Sequence, residues 1–281
     1  MCGVVNIDSP KYPKFLRTIT NPPKQLFFKG NWSTNIFNKC LAVVGSRRMT
    51  TYGRMVTEKL VSEIALHGIT VVSGFMYGID ATAHKAALSA GGTTIAVMPC
   101  GIELINPSNQ EKLYREILDS SGLVLSEYSG SFQPQLWTYP KRNRIVAGLS
   151  HATLVVEAGE RSGSLITANY ANKFDRKVFA VPGLITSSNS IGTLDLLSKG
   201  ATLVKTAADI LSSFGFVSDL PLLNNPKTNF ITKILLREPM NFDDLYEEVD
   251  VTPEVLNSEI TSLLLSGEII EEGGKYYVNK G

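Results

Sequence analysis

The chain has 281 residues, with 27 Lys and Arg against 26 Asp and Glu for a net charge of +1, and 43% hydrophobic against 19% charged residues. That balance excludes a disordered polyelectrolyte, and at about 150 residues per domain the length suits one large domain and one small one. No apolar run approaches the ~18 residues of a membrane helix, and Met1-Cys2-Gly3 is not followed by an export signal, so a cytoplasmic protein with no membrane partner is expected.

Residues 1–39 are mixed, and Pro10, Pro13, Pro22 and Pro23 exclude a long helix there. A rhythm then begins. Leu41–Val44 reads as a strand ending at Gly45, Tyr52–His67 as a helix with Val56, Leu60 and Ile64 on one face, and Ile69–Val72 as the next strand. Helix follows at Asp80–Ala90, strand at Thr94–Met98, helix at Gln110–Leu118 and strand at Leu123–Ser126. After an irregular stretch come strand Thr153–Glu157, helix Leu165–Phe174 and strand Lys177–Val181, with further helix at Leu194–Ser198 and Ala207–Phe214. Strands apolar at consecutive positions are buried on both faces, so their alternation with helices predicts an α/β, doubly wound, mainly parallel sheet.

The end of the chain has another pattern. Pro221, Asn224, Asn225 and Pro226 form a breaker cluster suited to a linker. Beyond it Asn229–Arg237 and Phe242–Val249 read as helices, and Glu254–Ser266 as a third, with Thr252 as N-cap and Pro253 at the first helical position. Gly273-Gly274 then turns a small hairpin, and three helices with a hairpin predict a winged-helix module. The charge divides at the same boundary. Residues 1–225 carry 22 Lys and Arg against 15 Asp and Glu, a balance of +7, whereas residues 226–281 carry 5 against 11, a balance of −6. The third helix holds Glu254 and Glu259 without Lys or Arg, so a protein contact suits it better than a DNA backbone.

The predicted strand ends carry small polar residues: Gly45-Ser46-Arg47-Arg48, Ser73-Gly74, Gly101, Ser162-Gly163-Ser164 and Pro182-Gly183. Glycine admits an anion to the backbone, serine donates hydrogen bonds and arginine offers a planar fork to phosphate, so this edge is a candidate anion site. The run Tyr139-Pro140-Lys141-Arg142-Asn143-Arg144 is the densest basic cluster and reads as a loop entering a helix, with Phe132, Trp137 and Tyr139 nearby as possible stacking groups. Neither G-x-G-x-x-G nor G-x-x-x-x-G-K-[ST] occurs, so no nucleotide cofactor is expected. Cys2, Cys40 and Cys100 form no C-x-x-C, and His67, His84 and His151 no H-x-x-x-H, so neither a disulfide scaffold nor a metal site is expected. Asp80 and His84 are spaced to touch across one helical turn, and Glu157 and Glu160 are candidates for acid–base or ribose-binding roles.

The motifs together resemble the DNA-processing protein A (DprA/Smf) family. The resemblance runs in order over roughly residues 10–205, through Val43-Val44-Gly45-Ser46-Arg47, Gly78-Ile79-Asp80, Pro140-Lys141-Arg142-Asn143-Arg144-Ile145-Val146-Ala147-Gly148-Leu149-Ser150, Ser162-Gly163-Ser164 and Val181-Pro182-Gly183. It implies an extended Rossmann-like domain over 40–220, an N-terminal extension over 1–39 packing on it, and a linker with an acidic winged-helix domain over 221–281. It also implies a non-catalytic homodimer that binds single-stranded DNA in natural transformation, displaces single-strand-binding protein and loads a RecA-type recombinase. The phosphate pocket it implies falls on Gly45, Ser46, Arg47, Ser73 and Gly74, on Lys141, Arg142, Asn143 and Arg144, and on Ser162, Gly163 and Ser164.

Two departures stand out. Tyr77 replaces a cation usual in the family, and Leu194 replaces an Asn after Gly192-Thr193, so a less cationic pocket is expected. No helical module precedes Tyr12, so the N-terminal DNA-contacting extension of some members is not expected. The alternatives are a Rossmann-like nucleoside monophosphate hydrolase using Glu157 and Arg161, and a nucleotide sensor signalling through the tail. Against the hydrolase, the Pro-Gly-Gly-x-Gly-Thr-x-x-Glu run of such enzymes is missing.

Overall fold

The computed structural model describes residues 2–216, 230–249, 251–265 and 267–279. The chain divides into two units, Met1–Val217 and Ser218–Gly281. The breaker cluster at Pro221–Pro226 lies outside the described residues.

The first unit opens with β1 (Cys2–Asn6), α1 (Lys14–Arg17) and β2 (Gln25–Gly30). The expected rhythm follows as β3 (Cys40–Val44), α2 (Thr51–Leu66), β4 (Thr70–Ser73), α3 (Ile79–Ser89), β5 (Thr94–Gly101), α4 (Glu111–Asp119) and β6 (Leu123–Tyr128). After it come α5 (Thr138–Leu149), β7 (Ala152–Val155), α6 (Gly163–Lys173), β8 (Lys177–Ala180), α7 (Ile191–Ser198), β9 (Thr202–Leu203) and α8 (Ala207–Leu211).

Among the described residues nine strands make one sheet, in the order β1-β2-β6-β5-β4-β3-β7-β8-β9. All pairings from β6 across to β9 are parallel, whereas β2 pairs antiparallel with both β1 and β6. The mainly parallel, doubly wound sheet read from the apolar runs is therefore borne out. Residues 2–39 lie within this architecture, because β1 and β2 extend the sheet and Tyr12 and Leu16 enter its core.

Alternation along each strand explains why the central runs are apolar throughout. Leu41 and Val43 of β3 face one core, with Leu60 and Ile64 of α2; Cys40, Ala42 and Val44 face the other, with Ile145 of α5 and Ala168 of α6. Each fully buried Leu or Ile contributes about 1.5–3 kcal/mol by leaving water. From β3 the chain steps outward through β4, β5 and β6, then returns to lay β7 on the other side of β3. The strand order thus reverses between β3 and β7. In an open α/β sheet the carboxyl ends of two such strands leave a crevice.

The second unit contains α9 (Phe230–Leu235), α10 (Phe242–Glu248), α11 (Pro253–Leu265), β10 (Ile269–Glu272) and β11 (Lys275–Val278). Ile231, Leu245, Leu256, Ile260 and Ile269 form its core. Gly273 and Gly274, at φ +60° and +77°, both take the left-handed backbone that a two-residue hairpin turn demands. Met240, between α9 and α10, bridges to Tyr276 of β11. No helix among the described residues is long and apolar enough to cross a membrane.

Candidate nucleic-acid interface

A cleft of about 590 Å³ opens where the strand order reverses. Its walls are the loop after β3 (Gly45–Arg48), Gly74 and Met76 after β4, the first turns of α5 and the segment from Gly159 into α6. Nine of the residues expected from sequence line it: Gly45, Ser46, Arg47, Gly74, Arg142, Asn143, Ser162, Gly163 and Ser164. Ser73, Lys141 and Arg144 do not, and each has another partner. The Ser73 hydroxyl is buried and donates to the Val43 carbonyl at 2.6 Å. Arg144 is buried and pairs with Glu127 at 2.5 Å, while its Nε donates to the Asn21 carbonyl at 3.0 Å. Lys141 lies 3.5 Å from the other oxygen of Glu127.

The basic run is not the loop expected. Its residues sit in the first turns of α5, where Pro140 is tolerated because a first-turn N–H has no intrahelical acceptor to lose. Helical phase then separates the cations. Arg142 shares a buried face with Ile145, Val146 and Leu149, and Lys141 stays exposed.

Arg142 forms the floor of the cleft. Its Nη1 donates to the carbonyls of Gly74, just past β4, and Val97, within β5, and its Nε donates to Asn143 Oδ1 at 3.2 Å. Asp80 is buried beside it and accepts from the Met76 N–H at 3.3 Å. A Cβ on Gly74 would meet Arg142 Nη2 at 2.6 Å and Asp80 Oδ2 at 2.7 Å, so both charged groups are seated against a bare backbone. Burial pushes the Asp80 pKa up and the Arg142 pKa down to about 10, and each charge partly offsets the other's shift. Phe75, next in the chain, is buried at φ +58°, a left-handed turn uncommon for a bulky residue, and its carbonyl accepts from Gln110 Nε2 at 2.9 Å.

The loop after β3 is held by its backbone and by the Ser46 hydroxyl, and leaves the two guanidinium groups outside any ion pair among the described residues. The Ile79 N–H donates to the Ser46 carbonyl at 3.2 Å, the Arg48 N–H to Ser46 Oγ at 3.1 Å, and Asn189 Nδ2 to the Arg48 carbonyl at 2.8 Å. Gly78, at φ +75°, permits this approach, because a Cβ there would strike the Ser46 carbonyl oxygen. Arg47 and Arg48 are exposed, with the Arg47 guanidinium 5.4 Å from the centroid of the Tyr139 ring. Arg161 is exposed on the facing wall. Among the described residues these three arginines form no ion pair. Arg48 belongs to the strand end read as an anion site but not to the pocket that the resemblance implies, and Arg161, beside the Ser162-Gly163-Ser164 strand end, belongs to neither.

Across from Arg47, Ser162 caps α6, its Oγ 2.7 Å from Ser164 Oγ, and Asn143 Nδ2 donates to the Gly163 carbonyl at 3.2 Å. The cleft therefore combines a helix start, hydroxyls and unpaired guanidinium groups, which is chemistry for an anion with several oxygens.

The carboxylates and histidines weighed for other roles are placed elsewhere. Glu157 is buried and accepts from the Thr50 N–H at 2.9 Å and the Thr50 hydroxyl at 2.5 Å, so it ties the end of β7 to the cap of α2. It is absent from the cleft lining. His84 does not turn to Asp80; its Nδ1 lies 2.6 Å from Thr94 Oγ1, and burial pushes its pKa down to about 3, which keeps it neutral. Among the described residues no group of three or more His, Cys, Asp or Glu is placed to hold a metal, and Cys2, Cys40 and Cys100 are free.

Comparison with known proteins places this geometry in a family. The sequence profile described as DNA recombination-mediator protein A matches residues 3–215. The DNA processing protein DprA of Streptococcus pneumoniae is 42% identical over 205 residues, covering 73% of this chain and 72% of the relative. Protein Smf of Synechocystis is 39% identical over 220 residues, 77% of this chain, which span about half (54%) of that longer protein. Among solved structures, S. pneumoniae DprA superposes with a TM-score of 0.70 at 40% identity, over 75% of this chain and 74% of that one. DprA of Helicobacter pylori, whose structure is described in terms of a single-stranded DNA binding mode, gives 0.67 at 32% identity, over 75% and 95%.

Proposed function

We propose, because this chain belongs to the DNA recombination-mediator protein A family, that its cleft binds single-stranded DNA by the phosphates and that it mediates recombination without catalysing a reaction. The observation that carries the reading is the trio of unpaired arginines, Arg47, Arg48 and Arg161, around a cleft lined by Ser and Gly at strand ends. The H. pylori relative, described as a single-stranded DNA binder, supports the choice of ligand. The phosphate site is proposed on Gly45, Ser46, Arg47, Gly74 and Asn143 with Ser162, Gly163 and Ser164, joined by Arg48 and Arg161 and floored by Arg142. Family membership extends the proposal to a homodimer that protects incoming strands in natural transformation, displaces single-strand-binding protein and passes them to a RecA-type recombinase. The hydrolase alternative loses support from the position of Glu157, whose carboxylate is engaged in holding Thr50, the cap of α2.

Equilibrium binding of a labelled oligodeoxynucleotide and the matching duplex, titrated against salt, tests the proposal. Single strands should bind more tightly, and three phosphate contacts should give a slope of log K on log salt of about −2. Equal affinity for duplex, or binding indifferent to salt, would count against the cleft as the site. The acidic tail is proposed as a winged-helix module that contacts protein. Its Met240–Tyr276 bridge, which ties the segment between two helices to the hairpin, supports that fold. Deleting residues 226–281 should therefore leave single-strand affinity unchanged or slightly raised, since a charge of −6 is removed. A large loss of affinity would assign DNA contacts to the tail.

A further inference from the structure

The loop between β6 and α5 exposes an aromatic cluster that the phosphate cleft does not use. Tyr128 and Phe132 stack with ring centroids 4.6 Å apart and planes 19° from parallel. Trp137 meets both edge-on, at 6.2 Å from Tyr128 and 6.4 Å from Phe132. Packing of this kind fixes the rings without hiding them, and Trp137 remains 52% exposed and Phe132 38%. The Lys141 ammonium lies 5.5 Å and 5.4 Å from the Tyr128 and Trp137 centroids. Lys141 and Arg144 share one carboxylate, Glu127, while Glu103 is engaged on the same loop by the Ser131 hydroxyl at 3.0 Å, so Lys141 is the cation beside the ring faces.

We propose that Phe132, Trp137 and Lys141 form a base-stacking platform for the strand as it leaves the phosphate cleft. The proposal rests on the single-strand reading above and specifies a second contact for the same ligand. Continuity supports it: Trp137 caps α5, whose first turn carries Tyr139 on the cleft wall beneath Arg47. The two aromatic residues stand on different flanks of one helical turn, so a strand crossing the start of α5 meets the cleft on one side and the platform on the other. The chemistry fits a nucleic-acid strand better than a protein surface. Rigid ring faces take a base of any identity, and the adjacent ammonium takes a phosphate. A duplex keeps its base faces stacked internally, so the platform also favours single strands.

The chain has two tryptophans, and Trp32 is half-buried against Phe28 and Phe37, so Trp137 is the more accessible fluorophore. Oligodeoxythymidylate should quench the intrinsic fluorescence of the full chain, and Trp137→Ala should remove that change. Trp137→Ala should weaken oligodeoxythymidylate binding about tenfold, Trp137→Phe much less, and neither should alter binding of an abasic strand of equal length. Arg47→Ala should weaken both strands. Because Trp137 caps α5 without a side-chain hydrogen bond, its replacement removes no capping interaction. Unchanged affinity of Trp137→Ala for the base-bearing strand, or an equal loss for both strands, would overturn the platform while leaving the cleft in place. If the parent chain binds neither strand, the single-strand reading and the platform both fall.

Discussion

Arg47→Ala should weaken single-strand binding about ten- to a hundredfold and reduce the steepness of log K on log salt by ~0.7. The loop that presents Arg47 is fixed through Ser46, Gly78, Ile79 and Asn189 at the backbone, so the substitution removes a charged group without loosening its support. Arg47 itself makes no ion pair among the described residues, and its guanidinium is free to fork onto a phosphate. Thermal stability should change by no more than a few tenths of a kcal/mol, as for other exposed substitutions. Base preference should not change. Wild-type affinity and slope in the variant would remove Arg47 from the site.

Arg142→Ala should act on the fold instead, costing about 3–5 kcal/mol, because it leaves a buried carboxylate without its compensating charge. The carbonyls of Gly74 and Val97 lose their donor in the same step, at the junction of β4, β5 and α5. Lysine should not restore it, since one ammonium does not reproduce the fork that reaches two carbonyls and Asn143. Asp80→Asn in the same chain should recover part of the loss by removing the unpaired charge. The pH dependence has a definite sign. Burial already raises the Asp80 pKa against the opposing pull of Arg142, and without that pull it rises further. Above about pH 4 the unfolded state then releases a proton that the folded state retains, so the variant should lose stability as pH rises and regain it on acidification. Urea unfolding across pH measures this. Normal stability with reduced DNA affinity would show that Arg142 acts on phosphate and not on the floor.

The central fold was legible because β3 to β8 are buried on both faces, and such strands are nearly continuous apolar runs. β1 and β2 carried no such signal: they form an antiparallel edge where Val4 is half-exposed, and prolines lie between them. α5 was obscured by Pro140 and three cations at its start. Its later phase was readable, since Arg142 falls at i, i+3, i+4 and i+7 with Ile145, Val146 and Leu149, which places that guanidinium inside. The cleft residues of the strand ends followed from the nature of parallel sheets. Their division into free arginines (Arg47, Arg48, Arg161) and engaged ones (Arg142, Arg144) depends on partners remote in sequence, such as Asn21, Gly74 and Glu127, which no local pattern displays.

The reversal of strand order at β3 also governs when the protein acquires its binding surface. Val43 pairs with Leu154, 111 residues later, and two of the cleft's wall segments follow those strands. Ribosomal synthesis delivers β3 to β6 first, and these can begin to pair through connections of ordinary length. Arg47 and Arg161 face one another only after β7 has crossed back, a contact whose loop-closure entropy makes it slow. A nascent or truncated chain ending before β7 therefore has the Gly45–Arg48 loop, Gly74 and the first turns of α5 but lacks the wall from Gly159 into α6, so the proposed site is completed late in synthesis.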